Sequence, residues 1–237
     1  MKNLVTLCAA LAAVSSFALA KDAAADNSCV SPVIETAAAV ETSYGSSYRV
    51  ETYYRSPQEA AARFITDKPA LMVVEGDAVW IRTPEGDLPG GENERRFVIG
   101  HQFHALALRF DEIMTGVEKV KNIDFKGGTF KGRKGRYPDG GEATLVADRE
   151  GRPLGLLLEL PDETRIEVSY EDWRDTPSGA AAPYKAVILH NGNLFTYEYE
   201  SVTFAEGGAL AFHDAYPAPA IDAVAAHRSE IAAQCGG

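Results

Sequence analysis

Residues 161–204 read PDETRIEVSYEDWRDTPSGAAAPYKAVILHNGNLFTYEYESVTF, and they carry the clearest structural signal in the chain. Apolar and polar positions alternate along this run, and the pair Asn191-Gly192 interrupts it. Asn-Gly between two apolar runs is the strongest short-range signal for a β-hairpin. The pattern predicts strands over 164–173, 184–189 and 194–203, after two further strands over 143–147 and 154–160. Successive hairpins of this length predict an antiparallel β meander.

The first half of the chain also contains strand signals. Residues 47–55 alternate with a period of two, which predicts a strand, and the turn pair Gly76-Asp77 separates two shorter predicted strands, over 71–74 and 78–83. Residues 83–94 are rich in Pro, Gly and acidic residues and are predicted to form a loop. A basic run over 126–136 is interleaved with glycines and is predicted to be the solvated tip of a hairpin.

Helix signals lie between and around these strands. Ser56 is suited to be an N-cap, with Pro57 at the first helical position and Glu59 in the capping-box position, so a helix is predicted to begin there. Apolar residues recur at helical spacing over 95–114, which predicts a longer helix. Shorter helices are predicted over 32–40 and 220–233. The predicted fold class is therefore α+β, built on an antiparallel meander.

The amino-terminal segment has the layout of a secretory signal peptide. Lys2 precedes a short apolar run, and the segment closes on Ala18-Leu19-Ala20, an A-x-A cleavage site. The apolar run is too short to span a bilayer, which needs about 20 apolar residues. We therefore expect a signal peptide over 1–20, cleavage after Ala20 and export to the periplasm. The predicted organisation is then a leader over 21–46, a β-rich domain over 47–216 and a tail over 217–237.

Two cysteines remain after removal of the signal peptide, Cys29 and Cys235. In an oxidising compartment such an isolated pair predicts a disulfide. The bridge would close nearly the whole chain, and loop entropy assigns it on the order of 4–5 kcal/mol of stabilisation. The alternative is two free thiols near the ends of the chain, because sequence spacing does not show proximity.

Charge and composition limit the classes of partner. The chain carries 23 basic and 34 acidic side chains, a net charge of −11, and 46% of its residues are hydrophobic. An acidic surface repels nucleic-acid phosphates and anionic lipid headgroups, so neither is an expected partner. The hydrophobic content is sufficient for a core, which argues against disorder.

His101 and His104 are the candidate metal ligands. On a helix, positions i and i+3 share a face, so the two imidazoles could bind one metal. A third ligand would have to come from elsewhere in the chain, such as His190 or His213. The alternative is that one histidine forms a structural hydrogen bond and the other is exposed, which fits the absence of an HExxH pattern.

No motif in the sequence predicts catalysis or a cofactor. There is no G-x-S-x-G pattern, and the glycine pairs do not precede a Lys-Ser/Thr helix start of the kind that binds phosphate. We predict no catalytic residue and no cofactor, and a binding protein is favoured over an enzyme.

Aromatic residues alternate on several predicted strands. Such residues usually belong to the core, but in an open barrel some of them would line a cavity, since a ligand pocket is a part of the core that side chains leave unfilled. The candidate cavity residues are Tyr48, Tyr54, Trp80, Phe195, Tyr197 and Tyr199.

The segment 161–204 resembles the later strands of LolA-like half-barrels. It has a Tyr-x-Asp-Trp-Arg stretch at 170–174, then a linker with Gly and Pro, and a Phe-Thr-Tyr stretch at 195–197. The resemblance implies an incomplete, twisted antiparallel barrel whose concave face is covered by helices. In that family the cavity holds acyl chains of lipoproteins or, in relatives, other hydrophobic ligands or signalling partners. The segment that contains His101 and His104 is not part of a lipoprotein-carrier motif.

Three hypotheses about function follow. The favoured one is a periplasmic binding or chaperone-like protein, a monomer that does not span the membrane and holds a lipid or acyl chain in a half-barrel cavity. The second is a metal-binding envelope enzyme that uses His101 and His104. The third is a ligand-free interaction module whose partner is another envelope protein.

Overall fold

A computed structural model describes residues 31–137, 141–160, 164–207, 209–217 and 219–235. The predicted signal peptide over 1–20 and residues 21–30 of the leader, which include Cys29, lie outside the described residues. The predicted disulfide to Cys235 therefore stays a prediction.

Within the described residues, thirteen strands form one antiparallel sheet. They are β1 Ser31–Thr42, β2 Ser47–Ser56, β3 Glu59–Ile65, β4 Ala70–Glu75, β5 Ala78–Thr83, β6 Gly86–Gly90, β7 Thr115–Phe125, β8 Gly128–Arg136, β9 Glu142–Ala147, β10 Pro153–Glu159, β11 Arg165–Asp175, β12 Ala181–His190 and β13 Asn193–Gly207. The predicted meander is confirmed, and so are the predicted strands of the first half.

The strand order explains how the sheet becomes a half-barrel. It runs β6-β5-β4-β3-β2-β1-β13-β12-β11-β10-β9-β8-β7, so the first and last strands pair in the middle of the sheet and β6 and β7 form its two edges. The chain between these edges contains the helices α1 Glu92–Gly100, α2 Phe103–Leu108 and α3 Phe110–Ile113. These helices lie across the concave face and close the inner core, which confirms the predicted half-barrel architecture.

Two further helices cover part of the opposite, outer face of the sheet. They are α4 Ala209–Ala215 and α5 Asp222–Cys235, and the second lies within the predicted tail. Phe212 and Val224 from these helices form a separate buried cluster with outward-facing residues of β1 to β5, including Tyr53 and Trp80. Parts of strands β1 to β5 are therefore buried on both faces. No helix in the described part of the chain is long and apolar enough to cross a membrane.

Burial on both faces explains two wrong helix predictions. Residues 32–40 lie in β1, not in a helix, and the helix predicted to begin at Ser56 is replaced by β3. In β3 the consecutive residues Ala60, Ala61 and Ala62 are all buried, because inner and outer layers pack on the strand. A strand buried on both faces lacks the period of two, and an alanine run then resembles a helix. The sheet also begins inside the predicted leader over 21–46.

Three other segments differ from the prediction in detail. The predicted loop over 83–94 contains the short edge strand β6, and the predicted hairpin tip over 126–136 is a turn at Lys126-Gly127 followed by strand β8. The single helix predicted over 95–114 is three short helices. The break at Gln102 has a tertiary cause, because its buried Nε2 donates to the carbonyl oxygen of Ala61 in β3 at 3.0 Å.

Gly155 in β10 allows the ring of Phe125 to lie against the strand. A Cβ at this position would stand 2.2 Å from Phe125 Cζ and 2.7 Å from the carbonyl oxygen of Val168. We expect Gly155→Ala to lower the free energy of unfolding by about 1–3 kcal/mol through overpacking, measured by urea denaturation. Gly100→Ala is the control, since a Cβ there meets nothing within 4 Å. Equal stability of the two variants would contradict this account.

Candidate functional site

An apolar cavity of about 510 Å³ lies between the helical layer and the concave face of the sheet. Helices α1 and α2 form one wall, and strands from both halves of the sheet form the other. The lining residues are Tyr48, Phe64, Asn93, Arg96, Phe97, Gly100, His101, Phe103, Tyr137, Leu158, Leu160, Ile166, Ile188, His190, Phe195 and Tyr197. Pockets for small ligands have volumes of roughly 300–1,000 Å³ and are mostly apolar, with a few polar groups. Both criteria are met.

Aromatic rings form a continuous side of the cavity. The Phe64 ring lies 5.4 Å from that of Phe97, and the Phe103 ring lies 5.2 Å edge-on to that of Tyr197, measured between centroids. The hydroxyl oxygens of Tyr48 and Tyr197 are 3.5 Å apart. Burial raises the pKa of both phenols, so both stay neutral at physiological pH. The side of the cavity is therefore uncharged and suited to hydrocarbon.

The polar groups of the lining are few. His101 donates from Nδ1 to the carbonyl oxygen of Phe97 at 2.8 Å. Burial lowers the pKa of His101 to about 4, against a smaller opposing effect of that hydrogen bond, so the imidazole is neutral at pH 7. Arg96 is the arginine of the lining. An occupant with a long apolar part matches this lining.

Exposed apolar side chains surround one end of the half-barrel. Tyr44 lies in the β1–β2 turn and Leu194 follows the β12–β13 turn, and the backbone N–H of Ser43 joins these turns by donating to the Leu194 carbonyl oxygen at 2.8 Å. Tyr44 and Leu194 are 61% and 45% exposed. The ring of Tyr44 meets that of Phe195, a lining residue, at 6.1 Å. Ile65 and Leu194 lie on the outer face of the sheet, opposite Arg49 and Leu189, whereas Tyr44 is an exposed apolar side chain that contacts the cavity lining.

A larger surface hollow, of about 770 Å³, is a poorer candidate. It lies on the outer face of β8 to β12 and is lined mainly by charged and polar residues. Four of its charged side chains are paired with one another, Lys134 with Glu142 at 2.7 Å and Arg165 with Glu159 at 2.8 Å. Exposed ion pairs of this kind describe a solvated sheet surface rather than a binding site.

The predicted cavity residues fall into two groups. Tyr48, Phe195 and Tyr197 line the cavity. Tyr54 and Tyr199 face the same interior, but other side chains cover them and they do not border the cavity. Tyr54 lies beneath the guanidinium of Arg109, and Tyr199 lies edge-on to His104. Trp80 is on the opposite face of the sheet, in the outer cluster. The sequence pattern identified aromatic residues on strands, but it did not show which of them border the open volume. For Trp80 it also did not show the face of the sheet.

His101 and His104 have separate surroundings. His101 borders the cavity, whereas His104 is buried and its Nε2 donates to the carbonyl oxygen of Pro183 at 2.7 Å. Within the described residues, neither belongs to a group of three possible metal ligands. His190 lines the cavity, and His213 lies on the outer face with Glu59 and His227. The four histidines named from the sequence therefore do not form one site.

Most of the apolar wall was not identified from the sequence. Phe64 follows the helix start predicted at Ser56, and Leu158, Ile166 and Ile188 belong to predicted strands whose inner face was not distinguished. The alternation around the Asn191-Gly192 hairpin could have identified Ile188 as a lining residue. Ile188 is the cross-strand partner of Phe195 and therefore shares its face.

Comparison with known proteins gives a likeness in structure only. No protein-family model matches the chain, and no curated protein matches it significantly. Among solved structures, a LolA superfamily protein from Nitrosomonas europaea is 10% identical, with a TM-score of 0.53 over 77% of this chain and 90% of that one. A domain from Vibrio parahaemolyticus, whose name assigns it provisionally to outer membrane lipoprotein sorting, is 11% identical, with a TM-score of 0.53 over 78% of this chain and 90% of that one. Likeness at this identity establishes the fold alone: the chain has a remote LolA-like half-barrel fold.

Proposed function

We propose that this protein is an exported binding or chaperone-like protein that holds a lipid or another acyl chain in its half-barrel cavity. The observation that carries the proposal is the 510 Å³ cavity, whose walls are mainly aromatic and aliphatic. An apolar wall that stays open to water forgoes the stabilisation of burial, which the hydrocarbon of a ligand would supply.

The chemistry of the lining narrows the class of ligand. An acyl chain would contact the rings of Phe64, Phe103 and Phe195 and the aliphatic side chains of the opposite wall. The role in the name of the Vibrio domain, lipoprotein sorting, is consistent with an acylated ligand.

The proposed compartment is the periplasm. Its support is the predicted signal peptide over 1–20 and the predicted disulfide between Cys29 and Cys235, which would form in an oxidising compartment. Native mass spectrometry of the mature protein, purified from its own envelope and accompanied by lipid extraction, tests both the proposed export and the proposed lipid binding. The expected result is a chain that begins at Lys21, is two hydrogens lighter than the reduced form and carries a bound lipid.

Filling the cavity should abolish binding. Ile166 is a half-buried lining residue, and a tryptophan there would project into the void. We expect Ile166→Trp to weaken binding of a fluorescent fatty acid at least about tenfold, since a bulky ring would take the place of several buried methylenes of the ligand, each worth about 0.8 kcal/mol. The readout is a fluorescence titration.

The matched control is Leu189→Trp. Leu189 is exposed on the outer face of the neighbouring strand, so the same ring is added without entering the cavity. Equal affinity of the two variants for the fatty acid would refute the cavity as the binding site. A wild-type protein that neither carries a lipid nor binds the probe would favour the ligand-free interaction module.

A further inference from the structure

Two buried carboxylates lie side by side at one end of strands β3 and β4. Glu59 begins β3, Glu75 ends β4, and the two residues are cross-strand partners. They are 2% and 0% exposed. Carboxylates are almost never fully buried unless they are paired, so the partners of each oxygen have to be identified.

Glu75 is fully paired. Arg228 of α5 donates from Nε to Oε1 and from Nη2 to Oε2, the latter at 2.9 Å, and the indole Nε1 of Trp80 lies 3.4 Å from Oε2. Arg228 also donates to the carbonyl oxygens of His213 at 3.3 Å and Tyr216 at 2.6 Å. This guanidinium therefore fixes α5 against both β4 and α4.

Glu59 is only half paired. Its Oε2 accepts a hydrogen bond from Arg55, but Oε1 is buried without a hydrogen-bond partner in the described part of the chain. The same is true of His213 Nε2 and His227 Nε2. Glu59 Oε1 lies 3.9 Å from His213 Nε2 and 3.6 Å from His227 Nε2, too far for hydrogen bonds. Three unsatisfied polar atoms thus converge on one point.

We propose that Glu59, His213 and His227 form a binding site for a divalent transition metal ion, with Zn²⁺ as the best fit. Their three ligand atoms lie within 4.8 Å of one another. Two imidazoles and one carboxylate are a recurrent set of protein ligands for zinc, with water in the fourth position. Bond lengths of about 2.0–2.1 Å in a tetrahedron place ligand atoms about 3.3 Å apart, so shifts of a few tenths of an ångström would close the two measured separations.

The surroundings of the two imidazoles suit metal ligands in different ways. Burial lowers the pKa of His213, and the nearby Arg228 lowers it further, so this side chain is neutral at pH 7. The His227 ring lies directly against Gly76, where a Cβ would stand 2.8 Å from ring atoms Cγ and Nδ1. Gly76 therefore allows the ring its position, and the backbone there limits its rotation.

The site also has a route to solvent. Its inner ligand, Glu59, is buried in the sheet, whereas the His227 side chain is 16% exposed and that of Arg228 is 20% exposed. An ion would enter from the α5 side. Once bound, it would connect β3 to both α4 and α5, which makes the site a clamp for the carboxy-terminal helices. It lies on the opposite face of the sheet from the apolar cavity.

Calorimetric titration of the mature protein with Zn²⁺ tests the site. The protein is purified without a histidine tag, stripped of metal, and its free thiols are blocked. We expect one Zn²⁺ per chain and a rise in Tm that Mg²⁺ does not reproduce. His227→Gln should raise the Kd for Zn²⁺ at least about 100-fold, since loss of even an outer partner of a metal ligand costs 10–100-fold. The matched control is His190→Gln, at the cavity, with an unchanged Kd.

Two results would overturn the proposal. One is wild-type protein that takes up no stoichiometric Zn²⁺, and the other is the same Kd in the His227 and His190 variants. If His227→Gln fails to fold, Co²⁺ added to wild-type protein replaces the comparison. Four-coordinate Co²⁺ on nitrogen and oxygen ligands absorbs strongly in the visible range, and the absence of that absorption would exclude the site.

Discussion

Replacing Arg228 with methionine is expected to lower the free energy of unfolding by about 3–5 kcal/mol, the range for removal of one partner of a buried ion pair. Glu75 is completely buried, and both of its carboxylate oxygens accept hydrogen bonds from this one guanidinium. Methionine retains the length of the apolar stem but leaves the carboxylate uncompensated. The variant also removes the hydrogen bonds to the carbonyl oxygens of His213 and Tyr216.

The measurement is urea denaturation in a buffer with a metal chelator, so that metal occupancy does not contribute. Arg49→Met is the matched control. Arg49 is an exposed residue of the same type that pairs with Glu51 at 3.5 Å and Glu200 at 3.2 Å, and exposed pairs contribute about 0–1 kcal/mol. A double variant with Glu75→Gln should recover part of the loss, because the unpaired charge is then absent. Equal effects at Arg228 and Arg49 would show that Glu75 is not the isolated charge that the structure indicates.

The meander of the second half could be predicted because its signals are local. Each hairpin from β9 to β13 contains its own alternation and its own turn, such as Asn191-Gly192, where both residues have positive φ angles of 49° and 76°. No information from distant parts of the chain is needed to place such strands. The half-barrel could be inferred only through the resemblance of 161–204, because the pairing of β1 with β13 joins residues far apart in sequence.

The secondary structure of the first half was harder to predict, because it depends on contacts with distant parts of the chain. Strands β1 and β3 look helical in sequence, since layers on both faces of the sheet remove the period of two. The break of the predicted helix over 95–114 at Gln102 depends on a carbonyl group of β3. The outer layer of α4 and α5 contributes to the first effect, and the chain reaches it only after Gly207.

Neither candidate site could be predicted from sequence alone, for two different reasons. A cavity is a volume that side chains leave unfilled, so alternation can place Tyr48 and Phe195 on a face but cannot show that the space beyond them is open. The outer cluster joins Glu59 to His213 and His227, which are more than 150 positions away along the chain. Sequence spacing instead favoured His101 and His104, which are close in sequence but contact different elements.

Acid is expected to destabilise the protein through His104, and His104→Gln should remove that part of the sensitivity. Burial is the largest cause that lowers the pKa of His104, to about 4, and the hydrogen bond to the Pro183 carbonyl oxygen opposes it. The unfolded chain has an ordinary histidine pKa of about 6.5. Between these two values the unfolded state binds the proton and the folded state does not, so stability falls as pH falls.

The size of this effect follows from linkage. The neutral imidazole contributes its full share above pH 6.5, and by pH 4 about 3 kcal/mol of unfolding free energy should be lost relative to a side chain that does not titrate. Glutamine keeps a neutral donor for the Pro183 carbonyl, so the difference in unfolding free energy between wild type and variant should shrink or reverse by about that amount from pH 7.5 to pH 4. Carboxylates titrate in both proteins and cancel in the comparison. If the unfolding free energies of wild type and variant run parallel over this pH range, His104 is protonated inside the folded protein. The contact between its imidazole and the ring of Tyr199 would then have to loosen in acid.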